Sequence, residues 1–176
     1  MIATSRLRLR PLGAEDAGPT AAIMCEAISR WTGSWTPDPT PKDVLERIER
    51  HRAAESEGRA IMRAIERASD GGLMGWIGVD RLDADPRRGV LGYWLGEVFW
   101  GQGYAGEAAS AVVGEAWRRL DLEVIEAGAQ PENAASIAIL RRLGMTEIGA
   151  RSHFAAARGR DEVCLYFELR RPPAST

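Results

Sequence analysis

Apolar and polar residues recur with two different periods along the chain, and the period predicts the kind of element in each stretch. Residues 6–10 alternate arginine and leucine at period two, which predicts a half-buried strand that Pro11 closes. A threonine followed by a proline at 40–41 is typical of a helix start, and a charged helix should run from there to about residue 57. Helical spacing of apolar residues also recurs over 14–31, 104–119 and 134–143.

Short β-like runs bounded by turn residues predict the remaining strands. The turn Asp70-Gly71-Gly72 should join two of these strands as a hairpin, and residues 83–89 should form another turn. The segment TGSWTPDPTP, residues 32–41, breaks the chain between the first two helices. The predicted strands are 60–68, 73–82, 91–95, 124–129, 145–150 and 162–169. Their order among the helices predicts an α/β fold with a mixed sheet.

Composition agrees with an ordinary globular protein. The chain has 176 residues, 45% of them hydrophobic and 27% charged, so we expect one domain over residues 1–176. A formal net charge of −2 argues against a nucleic-acid binder that relies on bulk positive charge. The arginine pairs 87–88, 118–119 and 141–142 are best interpreted as solvated surface.

The cysteines and the hydropathy pattern bear on the compartment. Cys25 and Cys164 have no metal-like partners in sequence, so buried free thiols are expected and no metal site is predicted. No stretch approaches the about 18 apolar residues that a membrane span needs, and the N-terminus lacks the apolar run of a signal peptide. We therefore expect a cytoplasmic protein with no membrane partner.

The most informative stretch is LGYWLGEVFWGQGYAGEAASAVVGEAW, residues 91–117, where a strand meets a glycine-rich turn and then a helix. The first turn of a helix leaves N–H groups unpaired, and glycines there let a phosphate come close. The segment is therefore a candidate anion cradle. On local grounds alone, a plain strand-to-helix connection explains it equally well.

Two motifs carry a resemblance to a known family. LGYWLGEVFWGQGYAGEA resembles the acetyl-coenzyme A motif of the GNAT acyltransferases, in the branch that includes the ribosomal-protein N-terminal acetyltransferases. QPENAASIAILRRLGM, residues 130–145, is similar to a second motif of that family, at the expected spacing. The resemblance implies a GNAT-like domain whose mixed sheet of about seven strands is splayed at the cofactor site and flanked by about four helices.

The resemblance also implies which residues hold acetyl-coenzyme A. The pyrophosphate should lie on the backbone amides of the loop, and a bulged strand should offer main-chain groups to the pantetheine arm and one N–H to the thioester carbonyl. Asn133 should bond the pantetheine and Ser136 should lie near the sulfur; without the family, a helix N-cap and a surface serine are favoured instead. The other implied cofactor residues are Tyr93, Trp94, Leu95, Gly101, Gln102, Gly103, Tyr104, Ala105 and Gly106.

Three positions depart from the family pattern. Trp100 stands where the broad motif begins with Gln or Arg, so backbone amides must hold the phosphates. Leu140 stands where many members have the tyrosine that protonates the leaving thiolate. Val90 stands where a carboxylate is common, which removes one candidate base.

An amine nucleophile must lose a proton, so the reaction needs a proton acceptor. Glu97, at the bend after the strand, and His153, in the last strand pair, are the candidate bases, and Glu126 is a third option. Each also has an ordinary structural interpretation as a solvated or strand-face charge, and a water chain could serve instead. Ser136 is a candidate to orient or protonate the sulfur.

The tryptophans divide into two groups. Trp76, Trp94 and Trp117 fall within predicted elements and should be core. Trp31 and Trp35 flank the proline-rich break, which forms one wall of the acceptor site in the family, so they could enclose a substrate or simply pack the loop.

The resemblance implies an N-acetyltransferase that moves an acetyl group from acetyl-coenzyme A to a primary amine by direct attack in a ternary complex. The acceptor could be a protein or peptide N-terminus, or a small amine such as an amino acid, polyamine or antibiotic. A catalytically weak coenzyme A-binding module stays open as a different class, whereas a phosphoryl-transfer enzyme is disfavoured because no P-loop is present. The assembly should be a monomer or homodimer.

Overall fold

Eight strands form one mixed sheet in the computed structural model, which describes residues 1–173. Each of the seven predicted strands has a counterpart, and the additional strand is a two-residue edge at the N-terminus. The strands are β1 (Ile2–Ala3), β2 (Leu7–Pro11), β3 (Ala60–Arg67), β4 (Leu73–Leu82), β5 (Asp85–Leu95), β6 (Val124–Ala129), β7 (Thr146–Ala155) and β8 (Arg160–Arg170).

Within the described residues, five α-helices flank the sheet, and two short 3₁₀ turns lie at Ala14–Asp16 and Glu97–Phe99. The third helix begins as the sequence predicts, because Thr40 and Asp43 cap it reciprocally and a proline follows the cap. The helices are α1 (Ala17–Ile23), α2 (Glu26–Ser29), α3 (Pro41–Ser56), α4 (Tyr104–Arg119) and α5 (Ala134–Arg142).

The strand order across the sheet is β1-β2-β3-β4-β5-β6-β8-β7. All neighbouring strands pair antiparallel except β5 and β6, which are parallel and pair only at residues 88–90 with 124–126. Beyond Val90, β5 continues along β4 to Leu95 while β6 continues along β8 to Ala129. The two halves of the sheet therefore separate, and the predicted splay is confirmed.

The sheet has a different apolar core on each face. One core packs under α4 and α5 and includes Leu91, Leu95, Ile125 and Phe167. The other lies under α1 to α3 and includes Trp35, Trp76 and Trp94. Trp76 and Trp94 are thus core residues as predicted, and Trp117 packs partly buried against the first core.

Three predicted boundaries were wrong. The helix expected over 14–31 is interrupted, because Met24 and Cys25 are extended between α1 and α2. The turn expected over 83–89 is much shorter, because β5 already begins at Asp85 after a register shift beside Leu82. The final hairpin is longer than expected, since its two strands pair out to Ala155 and Arg160.

Two further expectations concern cysteines and membranes. Cys25 and Cys164 are both free and half-buried. Within residues 1–173, no helix is long and apolar enough to cross a membrane. The cytoplasmic location stays a prediction.

Candidate active site

The fork between β5 and β6 exposes main-chain groups that no strand pairs with. Gly96 N–H donates to the Met74 carbonyl, so alternation along the β4–β5 ladder directs the N–H and C=O groups of residues 91, 93 and 95 away from β4. They point toward β6, from which β5 has separated. Of the three predicted pantetheine residues, Tyr93 and Leu95 therefore face the fork, whereas the Trp94 main chain pairs with Trp76 on β4.

The fork forms without the bulge that the resemblance implied. Pairing of β4 residues 75–81 with β5 residues 89–95 runs without a register shift. The expected bulge is therefore wrong on this ladder. The divergence begins instead where the three-residue parallel ladder with β6 ends.

The glycine loop leaves its amides free. Gly101 and Gly103 have φ of 73° and 82°, a left-handed conformation that favours glycine, and Gly103 is the N-cap of α4. Within the part of the chain that is described, no N–H from residues 101–106 donates to a protein acceptor. Six consecutive free donors thus lie at the N-terminus of a 16-residue helix, where an anion could be bound, and the anion cradle stays a prediction.

Trp100 fixes the loop rather than a phosphate. Its indole Nε1 donates to the Leu95 carbonyl at 2.8 Å, and Gln102 Nε2 donates to the Val98 carbonyl at 2.9 Å. These two bonds tie the loop to the end of β5. The side chain at the family's Gln/Arg position therefore has a structural role here.

Glu107 in the first turn of α4 anchors the loop from the other side. Its Oε1 accepts from the hydroxyls of Thr4 and Ser5, and its Oε2 accepts from Arg6 Nε at 2.7 Å. Burial raises the pKa of Glu107, but these hydrogen bonds outweigh burial and hold the pKa below its ordinary value. The turn after β1 is thus locked to the start of α4.

The Tyr93 side chain meets the start of α5. Tyr93 Oη and Ser136 Oγ lie 2.8 Å apart, and either hydroxyl can donate. Burial raises the pKa of Tyr93 to about 12, against a smaller lowering by Ser136, so the phenol keeps its proton at neutral pH. Sequence reasoning assigned Tyr93 only through its main chain, because this contact joins residues 43 positions apart.

Asn133 serves as the N-cap of α5. Its Oδ1 accepts from Ser136 N–H at 3.1 Å, the ordinary structural role that the sequence left open. A pantetheine contact would fall to its Nδ2 and stays a prediction. Leu140, one turn further on, is 1% exposed in the first core, and offers no hydroxyl there.

A polar surface covers β6, β8 and β7 on the face opposite α4. Ile125, Ala127 and Ala129 face the core under α4, so Glu126 and Gly128 face the other way. Tyr166 of β8 lies across Gly128, where a Cβ atom would be 3.2 Å from its Cζ. Strand pairing puts Arg151, His153, Glu162 and Cys164 on this same face, which we call the acceptor face.

Glu126 is engaged by two arginines. Its Oε2 lies 3.6 Å from Arg88 Nη1 and 3.5 Å from Arg151 Nη1, and the residue is 6% exposed. Both guanidinium groups approach the same carboxylate oxygen, so the carboxylate is already engaged within the protein. Of the three candidate bases, Glu126 is therefore the least suited.

His153 lies beside the segment between α2 and α3. A Cβ atom at Gly33 would be 2.6 Å from His153 Nε2, so the imidazole lies directly against this glycine and would have to move to admit a larger residue. Arg158 holds the same segment to the final hairpin by donating to the Ser29 and Thr32 carbonyls at 2.9 and 3.0 Å. The histidine therefore sits where this segment meets the acceptor face.

Glu97 lies apart from these contacts. It starts the 3₁₀ turn that follows β5 and is exposed. Within residues 1–173, its side chain takes part in no ion pair or hydrogen bond with the protein. The structure does not join Glu97 and His153 into one hydrogen-bonded unit, and both base assignments stay predictions.

The two loop tryptophans differ in burial. Trp35 is 6% exposed and packs edge to face against Trp76 and Trp94, with ring centroids 5.2 and 5.6 Å away. Little of its ring is left to contact an acceptor. Trp31 is half-buried, and the Arg30 guanidinium lies 4.6 Å from its ring centroid. An acceptor contact stays a prediction for both, and Trp31 is the better placed.

Comparisons with known proteins agree with this geometry. A family model described as an acetyltransferase (GNAT) domain matches residues 6–146. An uncharacterised N-acetyltransferase, p20 of Bacillus licheniformis, is 29% identical over 89% of this chain and 88% of its own length.

Solved structures share the whole fold. A GNAT-family acetyltransferase from Bacillus anthracis superposes with a TM-score of 0.80 at 18% identity, covering 96% of this chain and 97% of that one. RimJ of Mycobacterium smegmatis, solved with a coenzyme A disulfide, gives a TM-score of 0.80 at 22% identity, covering 94% and 86%. At these identities the likeness establishes the fold.

Proposed function

Since the chain belongs to the GNAT acetyltransferase family, an acetyl-coenzyme A-dependent class of acyltransferases, we propose that it acetylates a primary amine by direct attack in a ternary complex. The observation that carries the proposal is that the free amides of the glycine loop lie next to the unpaired main chain of β5. Six free amides begin α4, and the unpaired main chain of β5 leads from them into the fork. An extended thioester with an anionic end fits that arrangement.

Acetyl-coenzyme A supplies the activated acetyl thioester. The amides of residues 101–106 would hold its pyrophosphate, and Gly103 lets the main chain come close. The N–H groups of Tyr93 and Leu95 are the donors available to the pantetheine and to negative charge on the acetyl oxygen. The Leu95 carbonyl already accepts from Trp100, which fixes the direction of its peptide unit.

The hydroxyl pair at the fork is the best candidate to support the leaving thiolate. As the new nitrogen–carbon bond forms and the carbon–sulfur bond breaks, Ser136 can donate a hydrogen bond to the sulfur. Tyr93 keeps its proton and donates to Ser136, which leaves the serine proton free to point at the sulfur. The pair would thus do part of the work of the tyrosine that Leu140 replaces.

His153 is the favoured proton acceptor among the three candidates. A neutral imidazole has a nitrogen lone pair that can take the amine proton, whereas Glu126 is held by two arginines. Glu97 remains an alternative at the other end of the fork. Water can link either group to the amine.

We favour a protein or peptide N-terminus as the acceptor. The family resemblance and the RimJ-like fold support this choice. On the acceptor face the Arg151 guanidinium lies 4.8 Å from the centre of the Tyr166 ring, and such a surface could contact the backbone of an extended peptide. A small amine, or binding without efficient turnover, is the alternative.

Release of the coenzyme A thiol tests the proposal. The protein should release thiol from acetyl-coenzyme A when given at least one member of a panel of peptides, amino acids and polyamines. Turnover with peptides alone would support the N-terminal acceptor. Tight coenzyme A binding with no turnover on any amine would favour the binding module instead.

A further inference from the structure

A groove between α4 and α5 continues from the glycine loop. It has a volume of about 360 Å³ and lies between the start of α4 and the end of α5; its lining residues are Gly103, Gly106, Glu107, Ser110, Ile139, Arg142 and Leu143. Gly106 and Ser110 are four positions apart on α4, and Arg142 and Leu143 lie three and four positions after Ile139, so each set lies on one helical face. The small residues of α4 leave the space, and Arg142 puts a positive charge into it.

Arg142 is not neutralised by the protein. In the described part of the chain it forms no ion pair, whereas its neighbour Arg141 pairs with Glu147 at 3.1 Å. The other charge in the groove belongs to Glu107, whose two oxygens are occupied by Thr4, Ser5 and Arg6. Arg142 is therefore the unpartnered charge of the groove.

The arginines on the other side of the loop are already occupied. Arg6 donates to Glu107 and to the Gln102 carbonyl, and its guanidinium lies 4.4 Å from the centre of the Tyr104 ring. Arg67 donates from two nitrogens to Asp70. A second phosphate group would meet less competition at Arg142 than at either of these.

We propose that Arg142 binds the 3′-phosphate of coenzyme A and that the protein thereby prefers coenzyme A to its 3′-dephospho form. The inference rests on the proposed function, because it takes the pyrophosphate to lie on residues 101–106. From Tyr104 to Ser110 the helix rises about 9 Å, which a ribose with its phosphate can follow along the groove. A phosphate monoester carries nearly two negative charges at neutral pH, and a guanidinium binds it through two parallel hydrogen bonds.

Titration calorimetry with coenzyme A and 3′-dephospho-coenzyme A tests this directly. The wild-type protein should bind coenzyme A about 10- to 150-fold more tightly than 3′-dephospho-coenzyme A, the range that hydrogen bonds to a charged group provide. Arg142→Gln should bring that ratio to about 1 without weakening 3′-dephospho-coenzyme A. Arg142→Lys should keep part of the preference, and the matched control Arg141→Gln should keep all of it.

Three results would overturn the inference. Equal wild-type affinity for the two ligands would leave the 3′-phosphate without a site. Equal weakening of both ligands by Arg142→Gln would put Arg142 on the pyrophosphate. Loss of the preference in Arg67→Gln, with Arg142→Gln unaffected, would assign the phosphate to the other side of the loop. If the wild type binds neither ligand, the proposed function itself fails.

Discussion

Replacing the loop glycines one at a time should separate folding from ligand binding. Gly103 adopts φ of 82°, and a Cβ atom there would come 3.4 Å from an Arg6 nitrogen. Gly106 lies in the first turn of α4, and a Cβ atom there meets nothing within 4 Å. Gly114, in the same helix but outside the loop, gives a matched control whose Cβ would only approach Arg118 at 3.9 Å.

The three alanine variants should change stability in opposite directions. A left-handed alanine at Gly103 costs about 1–2 kcal/mol. Alanine at Gly106 or Gly114 gains about 0.5–1 kcal/mol, because it favours the helix without a clash. For a chain of this size, a change of about 1 kcal/mol in the free energy of unfolding shifts the melting temperature by about 2–4 °C. Gly103→Ala should therefore melt about 2–8 °C lower, and the other two about 1–4 °C higher.

Ligand-induced stabilisation should divide the same variants differently. At a hundredfold excess over Kd, acetyl-coenzyme A should stabilise the wild type by about 2.7 kcal/mol, or about 5–11 °C. If the pyrophosphate lies on the amides of residues 101–106, as proposed, a methyl group at Gly103 or Gly106 should keep it from approaching them closely. A tenfold loss of affinity would remove about half of that shift, whereas Gly114→Ala should keep it.

Thermal melts with and without acetyl-coenzyme A measure both effects. Gly106→Ala is decisive because its fold should be more stable while its ligand shift is smaller. A full ligand shift in Gly106→Ala would refute the close approach of phosphate to the loop.

Three further predictions follow from the fork and the acceptor face. Ser136→Ala should lower kcat about 10- to 100-fold and Tyr93→Phe about 2- to 10-fold, with the KM for acetyl-coenzyme A nearly unchanged. Because the Tyr93 hydroxyl acts through the Ser136 hydroxyl, the double variant should be no slower than Ser136→Ala. Additive losses in steady-state kinetics would contradict this pairing. Trp31→Ala should raise the KM for the acceptor about 2- to 10-fold, and an unchanged KM would remove Trp31 from the acceptor site. Trp35→Ala should instead lower the free energy of unfolding in urea by about 3–5 kcal/mol, because Trp35 is a core residue. The hydrogen bond from Arg158 lowers the pKa of Glu162 from 4.5 to about 2, so the ionised carboxylate stabilises the fold above about pH 4.5 and that contribution is lost as the pH falls toward 2. The free energy of unfolding of Glu162→Gln should therefore fall less steeply than that of the wild type between about pH 4.5 and about pH 2. If the two free energies fall in parallel, Glu162 does not contribute in this way.

The sequence predicted those elements whose ends carry their own chemical signals. Helix α4 begins and ends where the glycines and the last arginines place it, and β6 has the predicted bounds. The capping residues Thr40 and Asp43 likewise set the start of α3. In each case the signal lies within a few residues of the boundary.

The errors fall where the determining contact is distant in sequence. No glycine or proline marks the break at Met24 and Cys25, where Met24 is buried in the second core. The early start of β5 depends on its pairing with β4, which a local pattern does not show. The contact of Tyr93 with Ser136 and the position of Arg142 in the groove needed the three-dimensional arrangement for the same reason.

The short parallel ladder also bears on how the molecule opens. Strands β1 to β5 come from residues 2–95 and β6 to β8 from residues 124–170, and three residue pairs join them within the sheet. Each half is built from neighbouring antiparallel strands, and the core under α4 and α5 joins the two halves, so they can act as separate units in hydrogen exchange only when that core loosens. A ligand lying in the fork would bridge the two units. Its binding should slow amide exchange in both halves together, so that opening of the native state involves one unit instead of two.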